Sequence, residues 1–284
     1  MGDVMLDVLA DVGALAHGGD VHGRVAVQPG GTSANAAVWA AWDGAASRVH
    51  GRVGGDAVGR ILAEALTSHG VEAALTIDRD APTGTMLVVI EQGERSMVAD
   101  RGSNARLSPE DLPAELEAGA VLVSGYLLLQ SGTHDAAVAA LERARAAYVA
   151  VDAASWPLVE AFGADRFFEE TAGANVVLVN EREAWTLTGL EEDAAARALA
   201  ERYAVVALKL GPRGSILIVE GERSKREAEL IFEVDPTGAG DAFDGVLLSG
   251  LVRGDEPQVV HRRAGHAGAL VAAGESSWPP EDGP

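Results

Sequence analysis

A run of small residues that contains two acids carries the clearest chemistry in this chain: Asp235-Pro236-Thr237-Gly238-Ala239-Gly240-Asp241-Ala242-Phe243. The β-prone residues 230–234 precede it and the apolar residues 242–251 follow, so the pattern predicts a strand that turns into a buried helix. Backbone N–H groups stand uncovered at such a helix start, and the helix dipole adds positive charge, which together favour a phosphate. Asp241 lies in the first turn, where a carboxylate can take the proton of a hydroxyl that attacks a phosphoryl group. A capped helix entered through a glycine turn is the structural alternative.

A second glycine-rich segment, Gly30-Gly31-Thr32-Ser33-Ala34-Asn35, opens another apolar helix. The glycines allow a ligand to approach closely, and the Asn35 amide can donate a hydrogen bond to a hydroxyl and accept one from it. Ordinary helix capping explains the same residues. Asp7 directly follows a short predicted first strand, at the carboxyl end where open α/β sheets bind ligands. A cap of a turn or helix would explain Asp7 equally well.

Polar residues also follow two later predicted strands. Asn180 and Glu183 are three residues apart at a helix start, where they can hold a hydrated Mg²⁺ beside a triphosphate. The same spacing is that of a capping box, which is the structural alternative. Lys209 leads into the bare turn Gly211-Pro212-Arg213-Gly214, along which a nucleotide could lie, although the turn is also typical of a plain hairpin.

Apolar runs alternate with amphipathic stretches along most of the chain, which is the pattern of βαβ units around a parallel sheet. Two segments, residues 8–27 and 83–100, break this rhythm with short strands, turn residues and no helix. We therefore predict one α/β domain over residues 1–284, a doubly wound, mostly parallel sheet flanked by helices. A small β-sheet lid is predicted from about 8–30 and 83–100. The predicted strands cover residues 4–6, 47–53, 121–123, 149–151, 176–179, 205–210 and 216–219, and the predicted helices 34–42, 56–69, 136–147, 242–251 and 259–273.

Composition excludes several classes of protein. The 284 residues include 43 acidic and 22 basic side chains, and the formal net charge of −21 argues against nucleic acid or an anionic membrane as the partner. The absence of cysteine excludes disulfides, thiolate nucleophiles and cysteine-ligated metals. No secretory signal is visible, and the longest nearly apolar stretch, residues 118–129, is too short to span a bilayer. We expect a soluble, cytoplasmic protein.

Taken together and in this order, the motifs resemble the ribokinase-like (PfkB) family of carbohydrate kinases. The resemblance implies an ATP-dependent sugar kinase with a doubly wound α/β domain and a small β-sheet lid over the sugar. Two departures stand out: the family's first strand carries more apolar residues before its Gly-Asp pair, and a final helix seen in many relatives is absent after Gly274. The matching segments are Gly2-Asp3 through Asp7, Gly30 to Asn35, Val53-Gly54-Gly55-Asp56-Ala57-Val58-Gly59, Asn180-Glu181-Arg182-Glu183-Ala184, Lys209 to Gly214, and Asp235 to Gly245.

The resemblance also implies roles for individual residues. Asp241 falls on the catalytic base, and Gly238, Ala239 and Gly240 fall on the anion hole that holds the transferred phosphoryl group. The positions that match sugar-binding residues are Asp7, Gly31 and Asn35. Those that match the nucleotide site are Asn180, Lys209, Gly211, Gly214 and Gly240, with Gly265 as the candidate floor of the adenine pocket. Asn180 and Glu183 match the Mg²⁺ site, largely through water, and Asp235 and Thr237 match a monovalent cation site that would take K⁺.

Substrate and assembly stay open from sequence. A nucleoside kinase on the same scaffold usually places aromatic residues in the lid, and residues 8–27 contain none. A non-catalytic sugar or nucleotide sensor would be favoured by loss of the base or of the glycines, and both are intact. Arg101 could pair with the carboxylate of a sugar acid, or be an exposed arginine in a polar loop. Exposed strand edges of the lid need cover, which predicts a homodimer through the lid.

Overall fold

The computed structural model describes residues 1–16, 18–92, 94–274 and 276–279. The strands are β1 (Met5–Val12), β2 (Gly23–Gly30), β3 (Ser47–Gly54), β4 (Val71–Asp78), β5 (Gly84–Glu91), β6 (Glu94–Asp100), β7 (Leu116–Glu117), β8 (Ala120–Ser124), β9 (Ala144–Arg145), β10 (Tyr148–Asp152), β11 (Val176–Asn180), β12 (Val205–Lys209), β13 (Ser215–Val219) and β14 (Glu222–Arg226). The helices are α1 (Thr32–Trp42), α2 (Ala57–Ser68), α3 (Gly125–Leu128), α4 (His134–Arg143), α5 (Trp156–Phe162), α6 (Ala164–Glu170), α7 (Glu181–Thr188), α8 (Glu192–Ala200), α9 (Ala239–Arg253) and α10 (Pro257–Ala273).

The main sheet has six strands in the order β14-β13-β12-β11-β10-β8. Strands β8, β10, β11 and β12 are parallel, and β13 and β14 add an antiparallel hairpin at one edge. The parallel strands are nearly continuous runs of Val, Leu and Ala because both of their faces are covered. A separate pair, β3 and β4, is also parallel.

Helices cover both faces of the main sheet. Alternate residues of β11 point to opposite sides: Val177 and Val179 pack with α4 to α8, whereas Val176 and Leu178 pack with α9 and α10. This is the doubly wound arrangement that the alternation of strands and helices predicts. No helix within the described part of the chain combines the length and the apolar character that crossing a bilayer requires.

A four-stranded sheet in the order β2-β1-β5-β6 stands apart from the main sheet, and we call it the small sheet. It is built from the two segments that the sequence predicts to form a separate sheet. Strand β1 is antiparallel to β2 and parallel to β5, and β5 is antiparallel to β6. Strand pairing therefore confirms that these segments form one sheet, with no helix among their described residues.

Three local predictions need correction. The first strand is not residues 4–6: β1 runs from Met5 to Val12 and belongs to the small sheet, so Asp7 lies inside a strand and not behind one. Residues 230–234 form no strand, because no neighbouring strand pairs with them, and Leu230 and Phe232 are exposed. The helix predicted over 136–147 runs from His134 to Arg143 and gives way to β9.

Candidate active site

Four polar residues lie at the carboxyl ends of neighbouring strands, along one edge of the main sheet. Ser124, Asp152, Asn180 and Lys209 are the last residues of β8, β10, β11 and β12. The first turn of α9 lies at the same edge, because a Cβ built on Gly240 would have the Lys209 ammonium as its nearest neighbour at 3.5 Å. We call residues 235–241 the predicted phosphate loop. This loop and the predicted nucleotide and metal residues are therefore brought together at the carboxyl ends of the strands.

The start of α9 is shaped by Gly238, whose φ of 84° places it in the left-handed region. A Cβ at this position would also lie 2.8 Å from the Ser277 Cβ, so the turn requires glycine. The Ala239 N–H donates to the Pro236 carbonyl at 3.1 Å. Within the described residues no acceptor is bonded to the N–H groups of Gly240 and Asp241, so these two donors are open to an anion.

The Asp241 carboxylate is oriented by Asn35, whose Nδ2 donates to Asp241 Oδ2 at 2.8 Å. Asn35 is buried, and its Oδ1 accepts from Trp278 Nε1 at 2.8 Å. The enclosed setting raises the pKa of Asp241 well above its ordinary value, against the lowering effect of the Asn35 hydrogen bond. A carboxylate with a raised pKa is a stronger proton acceptor than an exposed one.

Asn35 therefore faces the base and is clamped from behind by Trp278 and Ser277. Sequence reasoning did not find these tail residues, because nothing in a short Pro-rich segment indicates burial. Trp278 is buried, and the Ser277 carbonyl accepts from Trp39 Nε1 at 2.8 Å. The short tail thus supports the helix that carries Asn35.

Asp7 lies on the face of the small sheet that carries the odd-numbered residues of β1, and it is buried. Gly30 makes room for its carboxylate, since a Cβ there would come within 2.1 Å of Asp7 Oδ2. Burial, followed by the charge of Asp235, raises the pKa of Asp7 to about 7. The structure thus brings Asp7 close to the phosphate loop, although it sits on a different element from the one predicted.

Gly31 and Arg101 meet at Asp3. Gly31 has a φ of 97°, and a Cβ there would come within 2.4 Å of the Asp3 carbonyl, so this helix start also requires glycine. The Arg101 guanidinium donates two hydrogen bonds to the Asp3 carboxylate, at 2.9 and 2.7 Å. Arg101 is therefore not an exposed loop residue, and its charge is already matched within the chain.

Asn180 and Glu183 form the capping box that was the structural alternative for this pair. The Glu183 carboxylate accepts from the Asn180 backbone N–H at 2.8 Å and from its Nδ2 at 2.6 Å. Burial, followed by the charge of Asp152, raises the pKa of Glu183 to about 7. No group of three or more His, Cys, Asp or Glu side chains in the described ranges is arranged to hold a bare metal ion. The pair of oxygen-bearing side chains suits a hydrated Mg²⁺ that shares its ligands with phosphates.

Lys209 points into a buried charge cluster that sequence reasoning missed. Its ammonium lies 2.6 Å from Asp244 Oδ2 and 3.5 Å from Asp152 Oδ1. These two carboxylates raise the pKa of Lys209 despite the opposing effect of burial, so it stays charged. Burial also raises the pKa of Asp244 to about 7. The position of Asp152 at a strand end was the available signal; nothing in the sequence distinguished Asp244 from other helix residues.

The remaining predicted nucleotide residues lie on the turn after β12 and on α10. Gly214 has a φ of 90°, and a Cβ there would clash with the Arg226 carbonyl at 1.9 Å, so the hairpin itself needs this glycine. Gly211 and Gly265 have open space where a Cβ would stand. Arg213, between the two turn glycines, pairs with Glu181 at the start of α7, which places this turn beside Asn180.

The two residues predicted to hold a monovalent cation, Asp235 and Thr237, lie at the entry to α9. The Thr237 N–H donates to Asp235 Oδ1 at 2.8 Å. Arg95 of β6 reaches both: its Nη1 is 2.7 Å from Asp235 Oδ1 and 3.3 Å from Thr237 Oγ1. The small sheet and the phosphate loop are therefore in direct contact.

Tyr126 is a further residue that sequence reasoning missed. It is half-buried in α3, directly behind the end of β8. Burial, followed by the charges of Asp152, Asp241, Glu183 and Asp3, raises its pKa to about 12. Tyr126 therefore stays neutral among the acids of the site.

Comparisons with known proteins show which family the chain belongs to. The family model described as pfkB family carbohydrate kinase matches residues 1–280. The chain is 30% identical over 264 residues to a fructokinase of Klebsiella pneumoniae, covering 88% of this chain and 83% of that protein. It is 29% identical to a ribokinase of Arabidopsis thaliana, covering 81% of this chain and 63% of that protein. The crystal structure of a Vibrio cholerae fructokinase bound to fructose, ADP and calcium superposes with a TM-score of 0.79 at 25% identity, covering 99% of this chain and 94% of that one. The chain belongs to the pfkB family of carbohydrate kinases, a family of ATP-dependent sugar kinases.

Proposed function

We propose that this chain transfers the γ-phosphoryl group of ATP to a hydroxyl of a small neutral carbohydrate, with Asp241 as the general base. One observation carries the proposal: the Asp241 carboxylate stands in the first turn of α9, beside the open N–H groups of Gly240 and Asp241. Proton acceptor and phosphoryl-binding donors thus occupy the same turn. Asn35 fixes the carboxylate from the opposite side.

The work of the site is positioning and charge stabilisation, which dominate phosphoryl transfer. The N–H groups of Gly240 and Asp241 stabilise the negative charge that develops on the transferred group, and one such donor is worth about 3 kcal/mol. Ala239 contributes less to this anion hole, because its N–H is already bonded to Pro236. Gly238 contributes the left-handed turn that aims the donors.

Asp7, Gly31 and Asn35 would hold the sugar. The buried Asp7 carboxylate is an acceptor for sugar hydroxyls, and the bare backbone at Gly31 allows close approach. A neutral sugar is favoured over a sugar acid because the Asp3 carboxylate already satisfies the Arg101 guanidinium in two hydrogen bonds. A second anionic partner would have to displace Asp3 from a pair that is largely shielded from water.

The nucleotide would lie along the carboxyl edge of β11 and β12, against Gly211, Gly214 and Gly265. Asn180 and Glu183 would hold Mg²⁺ through water, and Mg²⁺ supplies neutralisation of the phosphate charges when bound. Lys209 supports this surface from behind: its ion pairs with Asp244 and Asp152 tie the ends of β12 and β10 to α9 beneath Gly240. A direct contact between Lys209 and the nucleotide is not needed for that effect.

The small sheet would act as a lid that keeps water from competing with the sugar hydroxyl. Its outer face is apolar: Val27, Val8, Leu87 and Val98 form one row across four strands by register, and Val27 and Val98 are 60% and 63% exposed. A second copy of the chain packed on this face would cover it, so we propose a homodimer through the faces of the two lids. The acidic net charge argues against nucleic-acid or anionic-membrane partners, and we propose a cytoplasmic enzyme.

An ADP-release assay over ribose, fructose, a ketohexonate, inosine and adenosine tests the proposal, with ATP and sugar binding followed by titration calorimetry. Sugar-dependent ADP release with a neutral sugar, well above release without acceptor, is the expected result. Preference for inosine or adenosine would favour a nucleoside kinase. The described parts of β1, β2, β5 and β6 hold no aromatic side chain to stack on a base. Binding of both ligands without ADP release would instead indicate a sensor.

A further inference from the structure

The Arg95 guanidinium occupies the position predicted for a monovalent cation. Its Nη1 contacts Asp235 Oδ1 at 2.7 Å and Thr237 Oγ1 at 3.3 Å, and its Nη2 donates to the Val234 carbonyl at 3.2 Å. A carboxylate, a hydroxyl and a backbone carbonyl are the oxygen ligands that a hard cation takes from a protein. With the guanidinium among them, a potassium ion does not fit.

Strand register explains how Arg95 reaches this loop. Arg95 pairs with Ile90 in the β5–β6 ladder, and Ile90 pairs with Asp11 of β1, so Arg95 points from the same face of the small sheet as Asp7. Its side chain is 23% exposed, and arginine keeps its charge at every physiological pH. A permanent cation is thus delivered to the phosphate loop by the small sheet.

We propose that Arg95 is a tethered cation that replaces K⁺ at Asp235 and Thr237, so that the reaction needs no monovalent cation. This rests on the proposed function. Arg95 acts as a positioning residue: it holds Asp235, Asp235 accepts from the Thr237 N–H at 2.8 Å, and that bond orders the turn leading to Gly238 and the open donors of α9. The contact also ties the small sheet to the turn that precedes the anion hole.

The test compares the wild type with Arg95→Met in potassium chloride and in tetramethylammonium chloride at matched ionic strength. We expect the wild-type kcat and melting temperature to be the same in both salts. Arg95→Met should lose about tenfold or more in kcat without K⁺, because a small displacement of the groups that hold the reactants can lower the rate by that factor or more. The variant should regain activity when K⁺ enters the vacated site. Its melting temperature, measured without nucleotide, should also rise with K⁺ and not with tetramethylammonium.

Arg79→Met, at an exposed arginine after β4, is the matched control and should behave as the wild type in both salts. Activation of the wild type by K⁺, or an Arg95→Met variant whose activity and melting temperature ignore K⁺, would overturn the proposal. A wild type that phosphorylates no sugar in either salt would refute the proposed function alone. The K⁺-dependent melting of Arg95→Met would still decide the role of Arg95.

Discussion

At the scale of single residues, the site is a group of buried acids whose pKa values are raised, so that their ionised forms are disfavoured. The pKa values of Asp7, Glu183 and Asp244 are each raised to about 7, and that of Asp241 is raised well above its ordinary value. Burial is the first cause for all four. Acids in such a setting lower the free energy of unfolding at neutral pH, and they are suited to act as proton acceptors or cation ligands.

Asp7→Asn should therefore stabilise the folded protein at alkaline pH. The folded-state pKa of Asp7, about 7, lies above the ordinary value of 3.8, so the folded chain binds the proton more tightly and loses stability as the pH rises through this window. Removing the carboxylate should raise the free energy of unfolding by about 1–4 kcal/mol near pH 8 and by less near pH 5. Urea unfolding at both values measures this. An equal effect at both values, or destabilisation at the higher one, would contradict the assigned burial of the charge.

Some of these acids were predictable from sequence and others were not. Asp241 stands in a glycine-rich motif that predicts a phosphate-binding helix start, and Asn180 and Glu183 have a recognisable spacing. Asp244 has neither, since its partner Lys209 is 35 residues away in sequence and meets it only because β12 and α9 end and begin at the same edge. The role of Asn35 in holding Asp241 likewise depends on a contact across 206 residues.

At the scale of elements, the first turn of α9 is the part on which the proposed chemistry depends. Gly238 and Gly240 are glycines for different physical reasons. Gly238 needs its left-handed φ and the space beside Ser277, whereas a Cβ on Gly240 would meet nothing closer than Lys209 at 3.5 Å and would point to the side where phosphate is expected. The backbone at Gly240 is therefore not strained, and in the proposed mechanism only the bound phosphate requires its lack of a side chain.

Gly240→Val should abolish sugar phosphorylation and leave the protein folded, with sugar affinity retained. Gly238→Val should instead destabilise the protein, by about 1–3 kcal/mol, because it forces a β-branched residue into the left-handed region. Circular dichroism, thermal melting and the ADP-release assay on both variants distinguish the two roles. A folded Gly240→Val variant with a normal rate would show that residues 238–241 are only a helix cap.

Sequence periodicity predicted elements well where the element buries one kind of surface. Strands β10 to β12 and helices α1, α2, α9 and α10 come from apolar runs that pack in the three hydrophobic clusters of the chain. The failures have a common physical reason. Residues 230–234 have the composition of a strand but no partner strand, and β1 extends past its predicted end because β2 and β5 pair with residues as far as Val12. Strand pairing is not local information.

At the scale of the whole molecule, the small sheet has two unlike faces. One carries Asp7 and Arg95 toward the phosphate loop, and the other carries an exposed apolar row that includes Val27 and Val98. The sequence predicted the small sheet and its need for cover through its edges. The strand register shows that the surface in need of cover is the apolar face. A row of side chains on four strands can be recognised only once the alignment of the strands is known.

Val27→Glu should convert the proposed homodimer into a monomer. A charge in the middle of an apolar face cannot be buried against its copy without a partner. Sedimentation equilibrium on the wild type and on the variant measures the effect. Ile61→Glu, at a 54% exposed position on α2, is the control and should leave the association unchanged. A wild type that sediments as a monomer at tens of micromolar would contradict the homodimer.

The measurement that tests the account most directly is the turnover of Asp241→Asn with its nucleotide affinity. The substitution keeps the size of the side chain but removes the proton acceptor, so kcat should fall by about 10²-fold or more. The affinity for ATP should change little, because the open N–H groups of α9 remain in place. Asp135→Asn, at an exposed acid on α4, should leave both quantities unchanged. A folded Asp241→Asn variant that turns over sugar at a near-normal rate would contradict the assignment of Asp241 as the base.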